Sequence, residues 1–322
     1  MTLETEAVLD RRRMRRHITF WRGLAIFGLA LALGAMAFGS DKLAGVLGQK
    51  QIARISVEGT ISESRDQLQM LEKIADADEV AAVLLYVNSP GGTTTGGEAI
   101  YEGLRKIAKT KPVVAQFGTM AASAGYIVGL GADHIVARNN TITGSIGVLV
   151  QWPEVAQLLD KVGVKMNEVK SGDLKAAPSP FAPLDEGGRQ VMQDMVSDSF
   201  RWFVDLVESR RGIKTADVPG LLAGRVFSGR DALNHKLVDE IGGEAEAVHW
   251  LEEKRQVPKD LKVVDWKPTS DSGWGLTSAV SGAMSWLIGQ SATAVAQLLG
   301  QDHRFATLGL DGLVSVWQPP EN

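Results

Sequence analysis

The sequence predicts an α/β fold with largely parallel strands. Three observations carry the prediction. Val80 to Val87 is an unbroken apolar run, the pattern of a strand buried on both faces. Val113 to Phe117 is a second such run. Between them, Glu98 to Ala108 places Ile100, Leu104 and Ile107 on one helical face. No repeat at a fixed period suggests a tandem duplication.

The first element is a basic arm, residues 1–17, with Arg11, Arg12, Arg13, Arg15 and Arg16. Residues 18–40 follow as an apolar stretch, uncharged from Gly23 to Ser40. It is just long enough to cross about 30 Å of hydrocarbon. Arg22 can reach back to the headgroups, and Trp21 suits the interface. This predicts a single transmembrane helix with the N-terminus in the cytoplasm. A cleaved signal peptide is the competing reading. Residues 41–50 read as a linker.

The folded domain is expected over residues 51–265. Gln51 to Val57 alternates as a strand should, and Ser64 to Ala77 carries the helical stripe Leu68, Leu71 and Ile74. After Val87, Asn88-Ser89-Pro90-Gly91-Gly92 is expected to end the strand in a turn. Pro112 opens the next strand, which runs through Gly118 towards Ser123. His134 to Ala137 and Ile146 to Val150 are expected as short strands. Glu154 to Val162 reads as a helix through Val155, Leu158, Leu159 and Val162, with Gly163 past its end. Asp185 to Arg211 is a long helix. Residues 266–322 form a tail. Its stretch from Gly273 to Gly300 is uncharged but broken by polar residues, so it suits a membrane interface or a neighbouring subunit equally.

Composition narrows the function. A net charge of -4 and a pI near 5.8 argue against a nucleic-acid partner. The absence of cysteine excludes disulfides, thiolate catalysis and cysteine metal sites. The five histidines are scattered, with no pair at metal-ligand spacing. No metal and no cofactor are expected.

Ser123 stands among Ala121, Ala122, Ala124 and Gly125, with almost no side-chain bulk around its hydroxyl. That suits a nucleophile which a substrate backbone must approach. It also suits an ordinary strand-to-helix junction, and the Gly-x-Ser-x-Gly spacing is absent. Pro90-Gly91-Gly92 could present backbone amides to an oxyanion, together with the amide of Ala124. For a base, His134 is poorly placed, beyond an expected helix. Lys175 sits among Leu174, Ala176, Ala177 and Pro178. Burial there would disfavour the ammonium form and leave an amine able to deprotonate serine.

The ordered set of these segments resembles the bacterial signal peptide peptidase A family in its short single-domain form. The segments are Asn88 to Gly92, Met120 to Tyr126, Thr143 to Val148, and Lys170-Ser171-Gly172 with Lys175. The resemblance extends over Gly224 to Gly229 and Leu237 to Gly243. It implies a Clp-protease/crotonase-like spiral of ββα units. It also implies Ser123 as nucleophile, Lys175 as general base, Ser145 holding the lysine amine, and an oxyanion hole from the amides of Gly92 and Ala124. The implied protein is anchored in the bacterial inner membrane, with its protease domain outside the cytoplasm. It forms a homo-oligomeric ring with serine and lysine from neighbouring subunits, and it degrades leftover signal peptides. Ala124 departs from the glycine common after the serine. An idle scaffold of the same fold, or a crotonase-like acyl-CoA enzyme, are the alternatives.

Overall fold

A computed structural model describes residues 20–27, 50–268 and 314–316. The basic arm, most of the expected anchor and the stretch from Gly273 to Gly300 lie outside these residues. The chain divides into two units, residues 1–50 and 51–322. In the first unit, residues 20–27 form an exposed helix, α1, with the rings of Phe20 and Trp21 edge to face. Among the described residues no helix is long and apolar enough to cross a membrane.

The second unit is built on a mixed sheet, and its elements follow one another in βα order. They are β1 (Gln51–Ile61), α2 (Arg65–Asp76), β2 (Val80–Thr93), α3 (Thr94–Ile107), β3 (Val113–Ala122), α4 (Ala124–Gly129), β4 (His134–Ala137) and β5 (Ile142–Gly144). After these come α5 (Ala156–Lys161), α6 (Glu186–Arg211), β6 (Val226–Ser228), α7 (Gly229–Asn234), β7 (Glu240–Ile241), α8 (Glu244–Arg255), β8 (Lys262–Trp266) and β9 (Val314–Val316). The spatial order is β6-β5-β3-β2-β1-β8, with β4 bridging β3 and β7, and β9 on β2. The β1, β2, β3, β4, β7 and β8 pairings are parallel.

Strand alternation divides the core in two. Ala53, Ile55, Val83, Leu85, Ala115 and Phe117 point to one face, where α2, α3, α4 and α6 cover them. Ile52, Leu84 and Val114 point to the other, under Ala247 and Leu251 of α8. Beyond α8 that second face turns polar. A cavity of about 610 Å³ lies over it, lined by Arg54, Glu58, Tyr86, Gln116 and Arg138. It does not include Ser123, and α4 belongs to the opposite face.

Three elements differ from the sequence expectation. β2 does not stop at Val87 but runs through Pro90-Gly91-Gly92 to Thr93. The cause is tertiary: Ile61 of β1 pairs with Gly92 and holds it extended. Ile146 to Val150 is not a strand, and the strand there is β5, four residues earlier. The Glu154 to Val162 helix shortens to α5, and none of its residues is buried. Of its apolar stripe, Val155 and Leu159 are half-buried, and Leu158 and Val162 stay exposed. By contrast, α6 matches its expected span. Asp185 accepts from the amide of Gly188 at the start, and left-handed Gly212 closes the end.

Candidate active site

β3 delivers Ser123, and the backbone there is unusual. Ser123 has φ 57 and ψ -121 at the turn between β3 and α4. An L-residue rarely adopts positive φ, and holding one there costs of order 1–3 kcal/mol. A sharp, strained strand-to-helix turn is the conformation of a nucleophile elbow, although the glycine spacing is missing. The small neighbours are what allow it. A Cβ on Gly125 would stand 2.9 Å from the carbonyl oxygen of Ser89. The Ser123 hydroxyl does not cap α4.

The partners of this turn are other segments singled out in the sequence. The amide of Ser123 donates to the carbonyl of Gly144 at 2.9 Å, and Ala122 pairs with Gly144 in β5. Ser145 is therefore next to the Ser123 backbone. It is buried, has φ 50, and donates its own amide to Arg225 at 2.9 Å. On the other side, Ser89 of β2 pairs with Ala121. Ser89 Oγ donates to the carbonyl of Gly59 at 2.6 Å and accepts from the amide of Gly91 at 3.0 Å, which braces the Pro-Gly-Gly strand. Gly92 is obligatory by contact: a Cβ there would lie 1.9 Å from the carbonyl oxygen of Ile61.

Two helices begin here. Thr93 caps α3 by accepting from the amide of Gly96 at 3.1 Å, and Ala124 is the first residue of α4. Gly97 lets them pack, since a Cβ on it would be 3.3 Å from that of Ala124. Helix N-termini carry partial positive charge, so both starts favour a developing anion. The far end of α4 is tied down. Arg210 of α6 donates to the carbonyls of Leu130 and Ala132 at 2.9 and 2.7 Å. The buried hydroxyl of Tyr126 donates to the carbonyl of Leu237 at 2.7 Å, and burial holds its ionisation well above the ordinary tyrosine value.

Ser123, Ser145, Gly92 and Ala124 thus converge on the ends of β2, β3 and β5. Lys175 does not join them within one chain. It lies in a turn whose amide donates to Gly172 at 3.0 Å, and its side chain is exposed. It makes no ion pair or hydrogen bond through its ammonium among the described residues. The expected apolar burial is absent because residues 161–176 are exposed throughout. Lys170 is committed to Glu168 at 2.7 Å, which lowers the proton affinity of that carboxylate. His134 is removed from the site altogether. It pairs with Val114, eight residues before Ala122, or roughly 25 Å along the strand. There it stacks on Trp250 and bonds Glu240 at 3.0 Å. Among the described residues no cluster could hold a metal ion.

The chain matches a family model for peptidase family S49 over residues 105–258. A model for Clp protease matches residues 44–142. It is 36% identical to a candidate protease of Synechocystis sp., over 63% of this chain and 73% of that one. It is 35% identical to a candidate signal peptide peptidase SppA of Enterococcus faecium, over 68% and 67%. It is 37% identical to Protease 4 of Haemophilus influenzae, over 67% of this chain but only 37% of the relative. A serine held in a strained turn, on a sheet of this kind, in a sequence this close to those relatives, leads to one conclusion: the chain belongs to peptidase family S49, the signal peptide peptidase A family, and is a serine-type peptidase with peptide substrates.

Proposed function

We propose that the chain is a membrane-anchored endopeptidase with a Ser–Lys dyad that degrades leftover signal peptides. The observation that carries this is the strained turn at Ser123, the residue before Ala124 at the start of α4. In this reading the neutral amine of Lys175 takes the Ser123 proton as Oγ attacks the scissile carbonyl. The amides of Gly92 and Ala124 receive the oxyanion. The lysine then gives its proton to the leaving amine, and water releases the acyl group by the reverse sequence. Ser145 orients the lysine.

Lys175 reaches Ser123 from a neighbouring subunit. Its exposure supports that, and so do the exposed Leu158, Val162, Val164, Met166, Val169 and Leu174 on the same stretch. A surface carrying so many large apolar side chains is the mark of a protein interface. A homo-oligomeric ring of the Clp-like ββα spiral satisfies both features. Residues 51–265 are its protease domain and residues 18–40 its single-pass anchor. Arg11 to Arg16 stay in the cytoplasm, and the protease domain lies on the other side of the inner membrane.

The test is covalent labelling by a serine-directed peptidyl phosphonate. Wild type is labelled and hydrolyses peptide; Ser123→Ala does neither. Persistent hydrolysis in Ser123→Ala sinks the dyad. Topology is read separately with a cysteine at Gln49, which a membrane-impermeant thiol reagent should reach from the periplasmic side.

A further inference from the structure

We propose that Asn88 and Thr143 are positioning residues for the peptidase reaction, acting on Ser123 through a bulge in β3. This rests on the reading of Ser123 as nucleophile. β2 and β3 keep a regular parallel register from Val83 opposite Val113 to Val87 opposite Phe117. The next pair is Ser89 with Ala121. β2 therefore advances two residues, 87 to 89, while β3 advances four, 117 to 121. Gly118, Thr119 and Met120 all stand against the one residue Asn88, so β3 holds two residues more than the ladder needs.

An even insertion preserves strand alternation, and Phe117 and Ala121 both point into the helix-covered core. What the bulge changes is reach. Counted on from Ala121, position 123 comes level with Gly91. On the unbroken register it would come level with Thr93, roughly 6–7 Å farther along β2. The bulge thus draws the serine back to the Pro-Gly-Gly segment. A bulge interrupts the ladder that would hold it, and bulges beside active sites re-aim side chains. Here side chains replace the ladder. Asn88 Oδ1 accepts from the amide of Met120 at 3.2 Å. Thr141 Oγ1 donates to the carbonyl of Gly118 at 2.7 Å, and Thr143 Oγ1 donates to the carbonyl of Ala121 at 2.7 Å. Both threonines are buried. Gly118 lets the bulge sit close, since a Cβ there would lie 2.7 Å from Tyr86 Oη and 3.2 Å from the Cβ of Asn88. Asn88 grips the bulge from β2, the strand that carries Gly92, and Thr143 grips it from β5. Nucleophile and oxyanion strand are therefore set against each other by the two side chains.

The experiment measures peptide hydrolysis by the assembled full-length protein, with kcat counted per site titrated by the peptidyl phosphonate. Asn88→Leu keeps the side-chain volume and removes the acceptor. It should lower kcat on the order of a hundred-fold, the cost of a reacting group misplaced by about 1 Å, with KM within about two-fold of wild type. Asn88→Asp keeps Oδ1 and should recover most of the loss. Thr143→Val should be slow per site in the same way, and Thr143→Ser, which keeps the hydroxyl, should be close to wild type. This second pair carries the test if Asn88→Leu fails to assemble. A residue with a structural role alone would reduce the number of titratable sites and leave kcat per site unchanged, and that result overturns the proposal. Conservative variants as slow as the apolar ones overturn it too. Turnover that survives Ser123→Ala instead fails the underlying reading of the nucleophile.

Discussion

The amide of Ser123 donates to the carbonyl oxygen of Gly144 at 2.9 Å, so β5 holds the strained serine from behind. The strain belongs to the backbone and to Cβ, not to the hydroxyl. Ser123→Ala and Ser123→Gly should therefore be equally inactive but unequally stable. Glycine accepts φ 57 without penalty, whereas alanine retains the clash. The glycine variant should be the more stable by about 1 kcal/mol, read as a higher urea midpoint. An alanine variant as stable as the glycine variant would show that the turn is relaxed.

Gly92 cannot carry a side chain. Gly92→Ala would force a methyl group to 1.9 Å from the backbone oxygen of Ile61, and a backbone cannot swing aside as a side chain can. β1 and β2 should separate locally, with a loss of about 2 kcal/mol or more and of most activity. Gly172→Ala is the control, because nothing lies within 4 Å of its Cβ position. Its urea midpoint should stay at the wild-type value.

The lysines should behave differently. Lys175→Ala should lose several orders of magnitude in kcat, with the residue of activity supplied by the oxyanion hole. Lys170→Ala should lose little, since among the described residues Lys170 pairs with Glu168. Activity should rise toward alkaline pH, as a base that works only as neutral amine requires. Mixed rings of Ser123→Ala and Lys175→Ala subunits should regain a minor fraction of wild-type turnover. Differentially tagged mixed rings without turnover would place serine and lysine in the same chain.

Acid should weaken the domain at Glu208. Its carboxylate accepts from the Thr215 hydroxyl at 2.7 Å and from the Thr215 amide at 2.8 Å. These bonds hold its proton affinity below the ordinary value of 4.5. A depressed carboxylate contributes stability that is present above the ordinary value and lost as pH falls through the folded one. Glu208→Gln should therefore lower the melting temperature at neutral pH. As pH falls through the folded value the two proteins should converge, because the wild-type carboxyl then becomes protonated. A gap that stays constant from neutral pH to acid would contradict this.

The sequence was most legible where local chemistry decides the structure. The caps of α6, Asp185 and Gly212, mark its ends because both satisfy backbone groups within the helix itself. The buried strands announced themselves as apolar runs. The turn expected at Asn88 to Gly92 misled because its residues favour turns locally, while Ile61 and Ser89 hold them extended from a distance. Ser123, Ser145, Gly92 and Ala124 could be singled out, but the positive φ of Ser123 could not. Its trace was indirect: position 125 must be glycine to pass Ser89, and the sequence does have glycine there. Lys175 illustrates the converse. Its apolar neighbours suggested burial, yet within one chain Leu174 and Ala176 stay exposed and Ala177 and Pro178 are only half-buried.

The bond from Tyr126 to Leu237 also has a meaning in time. Donor and acceptor are 111 residues apart, and a ribosome delivers the donor first. At about 5–20 residues per second, α4 waits on the order of ten seconds for the carbonyl that fixes its buried ring. During that interval the serine has emerged, but the bond that fixes the ring behind it has not formed. The Tyr126 bond is therefore a late one, closing after Arg210 has already reached the far end of α4.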